Sequence, residues 1–419
     1  MPRLTPPALT NDCFAMPQGA HWTPVAKALA HLQANLAPVT AIETVPIAQS
    51  AGRILAADVI ARRSHPPAPN AAVDGYGFAG PAAAGTQEMP LLQGRAAAGN
   101  PYEGEVPAGH AIRILTGANL PSGVDTVILQ EDVAADANGI VFNGPLKAGA
   151  NARKAGEDMR AGDVILRRGT RLTPRAVGTA IAAGIGDVET FAPLTVGVLS
   201  TGDELRQPGQ PANDGDIFDA NRPMLLAEVS SWGYLTRDLG CAPDNRTRLR
   251  DILTKAARDC DLILTSGGAS GGDEDHMSAL LQDTGSFALW RIAMKPGRPL
   301  AMGLWDGTPV LGLPGNPVAA FVCAQVFAAP ACAILAGAEA HEPMRVTVPA
   351  GFTKSKKDGR TEYLRARLVD GKAEVFPSEG SGRISGLHWA TGLVELPHEA
   401  ANITPGDPVT FRPFSGIIG

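Results

Sequence analysis

Several classes of protein are excluded by what this 419-residue sequence does not contain. Cysteine is scarce: Cys13, Cys241, Cys260, Cys323 and Cys332 are scattered, odd in number and form no CxxC pair. That pattern argues against a disulfide framework or a cysteine zinc site and fits a reducing, cytoplasmic compartment. Basic excess is missing too. Acids number 42 against 36 Lys plus Arg, a net charge of −6, whereas a nucleic-acid binder ordinarily carries the opposite sign. No nucleic-acid partner is expected, and an anionic ligand would need local basic residues or a metal. The Pro-rich stretch 1–21 lacks an apolar run of signal-peptide length and reads as a flexible tail. The apolar stretch 319–338, "AAFVCAQVFAAPACAILAGA", carries Gln325 and Pro330 and reads as a buried helix, so no membrane association is expected.

The length suggests two to four domains, since single cores rarely grow beyond ~250–300 residues. Residues 22–36 read as a helix with Val25, Leu29 and Leu32 at helical spacing. Residues 37–68 look extended. Short strands with Gly/Pro turns from about 70 to 150 predict a small β-rich domain. A helix begins after Thr173-Pro174, a cap and first-turn pair. From 194 the rhythm becomes strand, helix, strand, which predicts a parallel α/β sheet covered on both faces. Within it Asn221 reads as a helix cap. Asp306-Gly307 reads as a hairpin turn. Asn316 and Pro317 read as the cap and first residue of a helix. Beyond 341 only short strands remain, predicting a small C-terminal barrel or sheet.

In open α/β sheets ligands sit beyond the carboxyl ends of the strands. Three glycine-rich turns fall there: "STGDEL" (200–205), "TSGGASGGDED" (265–275) and "LPGNP" (313–317). The second has no Lys-Ser/Thr pair after its glycines and no GxGxxG spacing, so it is not a nucleotide P-loop or dinucleotide fingerprint. Its backbone N–H groups at Gly267 and Gly268, with Ser266 and Ser270, can still bind an anion. The acids that follow repel phosphate unless a cation lies between, a role that suits Mg²⁺. Glu204, Asp244 and Asp275 each lie just past a predicted strand end. Read from the residues alone, Asp244 is equally a helix N-cap, and Glu204 is also readable as an exposed turn acid. Arg291, Lys295 and Arg298 in "RIAMKPGRP" provide nearby positive charge. Asp74 lies on an Asp-Gly turn and Thr116 in a tight turn. No Ser/His/Asp or Cys/His constellation stands out.

In order and spacing, "DGYG", "ILTGA", "GED", "STGDEL", "TSGG-S-G--D", "MKPGRP" and "LPGNP" resemble the molybdopterin molybdenumtransferase family, of the MoeA and gephyrin E-domain type, over residues 22–419. The resemblance implies an enzyme that inserts molybdate into the dithiolene of adenylylated molybdopterin and releases AMP, assisted by Mg²⁺. It implies an elongated multidomain subunit, homodimeric, whose cleft lies between the α/β domain of one subunit and the small β domain of the other. The expected division is a linking and dimerisation domain (22–68 with 158–192), the β-rich domain (69–157), the α/β molybdopterin-binding domain (193–340) and a C-terminal β-barrel-like domain (341–419). By motif match Asp74, Thr116, Asp158, Glu204, Asp244 and Asp275 line the cleft. Asp74, Glu204, Asp244 and Asp275 form the catalytic set, and Glu204, Asp244 and Asp275 the metal set. Lys295, Pro314 and Pro317 belong to matched motifs, while Arg153, Arg291, Arg365 and Ser381 match as binders of the pterin phosphate or molybdate. The family pattern has Ser and Met where Ala72 and Val73 stand, valines at Ala269 and Gly271, a basic residue at Ala155, and Lys at Arg291.

Two other readings belong beside this one. The "SGG-S-G--D" sheet also resembles molybdopterin adenylyltransferases, which make the adenylylated substrate. The gephyrin likeness also permits a catalytically silent molybdopterin-binding scaffold. The DGY and "ILTGA" motifs favour the transferase over the former, and Asp74, Glu204, Asp244 and Asp275 argue against the latter. A molybdopterin adenylyltransferase and acceptor molybdoenzymes are the protein partners the resemblance allows.

Overall fold

The computed structural model describes residues 22–267, 276–283, 288–297, 299–339 and 343–414. The expectations for the 1–21 tail, Gly268, Ser270, Asp275 and Arg298, and the departures Ala269 and Gly271, lie outside these residues. The chain divides into two compact units: Ile42–Thr190, and the described residues on either side of it. The boundary between Ala41 and Ile42 falls inside the 22–68 segment, because the helix Val25–Asn35 packs on the helix Ala329–Leu335.

In the Ile42–Thr190 unit, six strands form a sheet in the order Thr126–Leu129, Gly75–Phe78, Ala111–Ile114, Ala82–Ala96, Gly139–Leu146, Val133–Ala135. The "DGYG" glycines have a steric cause. A Cβ on Gly75 would lie 1.8 Å from the Ile128 carbonyl oxygen, so a side chain there would force the two strands apart. Ile47, Leu55, Val59, Leu172 and Ile185 form a separate core with the helix Pro174–Ala182. Its expected cap is present: Thr173 Oγ1 accepts from the Ala176 N–H at 3.2 Å.

The other unit carries a second six-stranded sheet, ordered Leu235–Ala242, Thr195–Thr201, Leu262–Ser266, Thr308–Leu313, Pro299–Trp305, Ala288–Arg291. The first four strands are parallel. Pro299–Trp305 runs antiparallel to both its neighbours, so the parallel sheet carries the hairpin expected at Asp306-Gly307 and is mixed. At its turn Asp306 (φ +48°) and Gly307 (φ +85°) both adopt the left-handed conformation that a two-residue turn requires. The helix Arg246–Asp259 covers one face with Leu249, Leu253 and Ala256, all buried. Each buried leucine contributes roughly 1.5–3 kcal/mol.

The apolar stretch forms one helical run, Pro317–Leu335, most of it buried within the fold. Residues Ala324–Ala328 within it are π-helical. Ala329 N–H reaches back five residues to the Ala324 carbonyl. The next donor in that register would be residue 330, a proline with no N–H. Arg412 Nη2 fills the place, donating to the Gln325 carbonyl at 2.6 Å.

Arg412 belongs to the C-terminal sheet, ordered Met294–Lys295, Thr361–Val369, Gly392–Leu396, Pro408–Pro413, Val346–Pro349, with Lys372–Val375 pairing Thr361–Val369. Its first strand comes from the α/β segment: Met294 and Lys295 leave that sheet and pair with Thr361 and Glu362.

Candidate active site

One tetrapeptide organises the carboxyl edge of the parallel strands. Asp219 accepts from Ser200 Oγ at 2.9 Å, near the end of the strand Thr195–Thr201. Arg222 donates to Asp219 through Nε at 2.9 Å, to Gln207 at 2.8 Å, and to Asp238 of the neighbouring strand. Asn221 Nδ2 donates to Ser266 Oγ at 2.8 Å and to the Gly315 carbonyl at 2.7 Å, joining the third strand end to the turn after the fourth. All three side chains are buried. Asn221 is therefore not the helix cap expected from its position: the helix Asn221–Ser231 has no side-chain cap bond, and the amide ties two loops instead. Because Ser266 Oγ accepts from Asn221, its own O–H is left as a donor toward a ligand.

Glu204 and Asp244 both lie near the Cys241 thiol on this edge, and it is Asp203 that pairs with Asp244. Asp244 Oδ2 accepts from the Asp203 N–H at 3.2 Å, and Asp203 Oδ1 accepts from the Asp244 N–H at 3.1 Å. The helix that follows is capped by Asn245, which accepts from Thr247 and Arg248 N–H groups at 3.1 and 3.0 Å. The capping alternative for Asp244 is thereby removed. Glu204 is exposed, and its carboxylate folds back over Gly202. A Cβ at that glycine (φ +146°) would lie 2.5 Å from Glu204 Oε2. Both carboxylates bear on one thiol: burial first, then the charges of Asp219, Glu204 and Asp244, push Cys241 up to about 11. Cys241, Cys260, Cys323 and Cys332 are all free.

Gly267 (φ +95°) sits so close to Thr201 that a Cβ would lie 2.7 Å from its hydroxyl and 2.9 Å from its carbonyl oxygen. Its N–H donates to the Leu313 carbonyl at 3.2 Å, so Gly267 shapes the turn instead of contributing that N–H to an anion. Pro314 is buried, and Pro317 starts the helix at its first position.

Lys295 forms an ion pair with Glu379, which also holds Lys354. Arg365, expected as an anion binder, is buried and turned inward. Its guanidinium donates to the carbonyls of Ser378, Gly380 and Arg383 and lies 4.8 Å from the Phe376 ring centroid. It holds the loop that carries Glu379 and Ser381. Ser381 in turn accepts from the Val318 N–H at 3.1 Å through its carbonyl. Arg291 is exposed at a strand end, where its carbonyl accepts from Thr23 at 2.9 Å.

In the Ile42–Thr190 unit, Asp74 Oδ1 accepts from Thr116 Oγ1 at 2.6 Å and Thr116 N–H at 2.7 Å. The hydroxyl, then the backbone N–H, hold the Asp74 carboxyl below its ordinary range. Arg153 is exposed on a strand paired with Asn70. Asp158 borders an open cleft of about 540 Å³ with His65, Met159, Asp163 and Thr179.

Three family models match in succession: "MoeA N-terminal region (domain I and II)" over 23–184, "Probable molybdopterin binding domain" over 197–333, and "MoeA C-terminal region (domain IV)" over 347–414. The molybdopterin molybdenumtransferase of Haemophilus influenzae is 36% identical over 389 residues, 91% of this chain and 96% of the relative. This chain belongs to the molybdopterin molybdenumtransferase family. A second member, from Synechococcus elongatus, is 32% identical over 383 residues, 89% of this chain and 94% of the relative. The crystal structure of the molybdopterin biosynthesis moeA protein from Pyrococcus horikoshii OT3 superposes with a TM-score of 0.81 at 28% identity, covering 94% of this chain and all of that one.

In this chain sequence reasoning missed Asn221 as a tie, Asp219 and Arg222 as its neighbours, and Glu379 and Lys354 around Lys295. Two turns separated in sequence but joined at one edge offered a signal for Asn221: something polar had to bridge "TSGG" and "LPGNP". Glu379 had none, since a loop glutamate ordinarily reads as solvated.

Proposed function

We propose that the chain inserts molybdate into the dithiolene of adenylylated molybdopterin and releases AMP. The observation that supports this reading is that the carboxylates of Glu204 and Asp244 both act on the Cys241 thiol, at the carboxyl edge where the Ser266 hydroxyl accepts from Asn221. Water adds across the anhydride between the pterin phosphate and AMP and separates them. The dithiolene sulfurs then bond molybdenum, whose oxygen leaves as water with their protons. No protein nucleophile is required, and the chain's task is to hold oxyanions and acids in place. Ser266 donates to a phosphate oxygen. Lys295 holds an oxyanion. Glu204 or Asp74 orders the attacking water.

Carboxylates such as Glu204 and Asp244, which both act on the Cys241 thiol, provide hard oxygen donors of the kind Mg²⁺ takes together with phosphate oxygens and water. Among the described residues no group of three metal-ligating side chains occurs. We assign Glu204 and Asp244, with Asp275, as its ligands. When bound, the ion supplies charge neutralisation on the phosphates and polarises the bond to AMP. The proposal extends to a homodimer in the cytoplasm, a barrel-like C-terminal domain, and delivery of substrate by a molybdopterin adenylyltransferase.

The test is AMP release from adenylylated molybdopterin on adding molybdate and Mg²⁺ to the purified protein, with molybdenum recovered on the pterin. Net adenylylation of molybdopterin from ATP, without that release, would instead make it an adenylyltransferase. The family matches at 23–184 and 347–414, on either side of the sheet domain, favour the first outcome.

A further inference from the structure

The ammonium groups of Lys295 and Lys354 converge on one carboxylate. Lys295 reaches Glu379 Oε2 and Lys354 reaches Glu379 Oε1, so each oxygen of Glu379 is engaged by a different lysine. The two lysines come from separate elements. Lys295 stands on the strand that pairs with Thr361 and Glu362, and Lys354 on the strand Lys354–Lys356 paired with Ala401–Ile403. Lys356 takes no part: its ammonium donates to the carbonyls of Lys357, His398 and Glu399 at 2.9, 3.1 and 2.9 Å. The buried Glu362 lies 3.2 Å from Lys354 and 2.8 Å from Arg360, a fixed counter-charge beneath the group.

The three partners differ in freedom. Lys354 is 12% exposed and Lys295 27%, whereas Glu379 is 42% exposed and sits on the loop that Arg365 holds by its carbonyls. Glu379 is therefore the member able to swing into water while the lysines stay. A carboxylate bridging two ammonium groups presents to them what one edge of a tetrahedral dianion would present: two oxygens sharing negative charge.

The geometry points to Glu379 as a specificity-determining residue, an internal carboxylate that occupies the Lys295–Lys354 site and that the oxyanion substrate must displace. This rests on the proposed reading of Lys295 as an oxyanion holder. Displacement sets a threshold of charge. A monoanion offers the lysines no more than Glu379 already does, whereas a dianion such as molybdate offers more. Burial opposes ionisation of Glu379, but the two lysines prevail and bring its carboxyl down to about 2, so it competes as an anion throughout the neutral range.

The experiment is calorimetric titration of the full-length protein with molybdate alone, comparing wild type, Glu379→Gln and Lys295→Gln. Glutamine keeps the shape and removes the charge. The expected result is molybdate binding about tenfold tighter in Glu379→Gln, the size of one charge-assisted contact no longer contested. Its melting temperature should stay near that of the wild type, and its preference for molybdate over a monoanion such as formate should narrow. Binding that is unchanged or weaker in Glu379→Gln would overturn the proposal, as would no measurable binding in either protein. Lys295→Gln reports on the reading beneath it. Wild-type molybdate affinity in that variant would remove Lys295 from the oxyanion site, whereas lost affinity there with no gain in Glu379→Gln would defeat the displacement idea alone.

Discussion

Arg412→Met tests whether a side chain supplies the hydrogen that Pro330 lacks. Arg412 is 8% exposed, and its Nη2 lies 2.6 Å from the Gln325 carbonyl, next in the π-helical register after the Ala329–Ala324 bond. Removing the donor strands a buried carbonyl, which costs about 1–3 kcal/mol. Removing a buried charge returns part of its desolvation cost, so the net loss expected is about 2 kcal/mol. Pro330→Ala supplies the missing N–H in register. In the Arg412→Met background it should recover about 1 kcal/mol, and in the wild type, where the carbonyl is already engaged, clearly less. Denaturant titration of the four proteins gives the coupling by linear extrapolation. A methionine variant as stable as the wild type, or a coupling below about 0.5 kcal/mol, would refute the argument.

Other expectations concern the rim. Asn221→Ala removes both ties between Ser266 and Gly315; KM for adenylylated molybdopterin should rise about tenfold, and an unaltered KM would show the loops are held otherwise. Gly202→Ala places a methyl group against Glu204. We expect kcat to fall by roughly an order of magnitude with the circular dichroism unchanged, and wild-type kcat would dismiss Glu204's position as important. Thr116→Ala withdraws the hydroxyl that lowers the Asp74 pKa. A carboxyl with a depressed folded pKa gives stability above its unfolded value and loses it as pH falls through the folded one. The variant should therefore be less stable at neutral pH and lose less stability on acidification, and stability–pH curves coincident with those of the wild type would contradict this. Chelation with EDTA should stop AMP release and added Mg²⁺ restore it; release indifferent to chelation would strip Glu204 and Asp244 of their metal role.

What could be read from the sequence was mostly local. Thr173-Pro174 opens a helix, Asp306-Gly307 turns a hairpin and the stretch around Phe321 is buried, because neighbours in the chain determine caps, turns and apolar runs. The three glycine turns were legible as a rim because strand ends in a parallel sheet share an edge. What escaped depended on distant partners. Asn221 and Asn245 look alike before a helix, yet one caps it and the other binds residues 45 and 94 positions away. Arg365 looked like a free cation until its carbonyl partners were known. Glu379 acquires significance only through lysines 84 and 25 positions off.

The short strand that carries Lys295 has consequences for synthesis on the ribosome. Lys295 is translated with the α/β segment, but its pairing partners Thr361 and Glu362 come more than sixty residues later. A nascent chain can complete the parallel strands and still lack a fixed anion grip. If Lys295 holds an oxyanion as proposed, that competence arrives late, when the strand Thr361–Val369 has emerged, and a stalled chain would hold a folded sheet with an unplaced lysine.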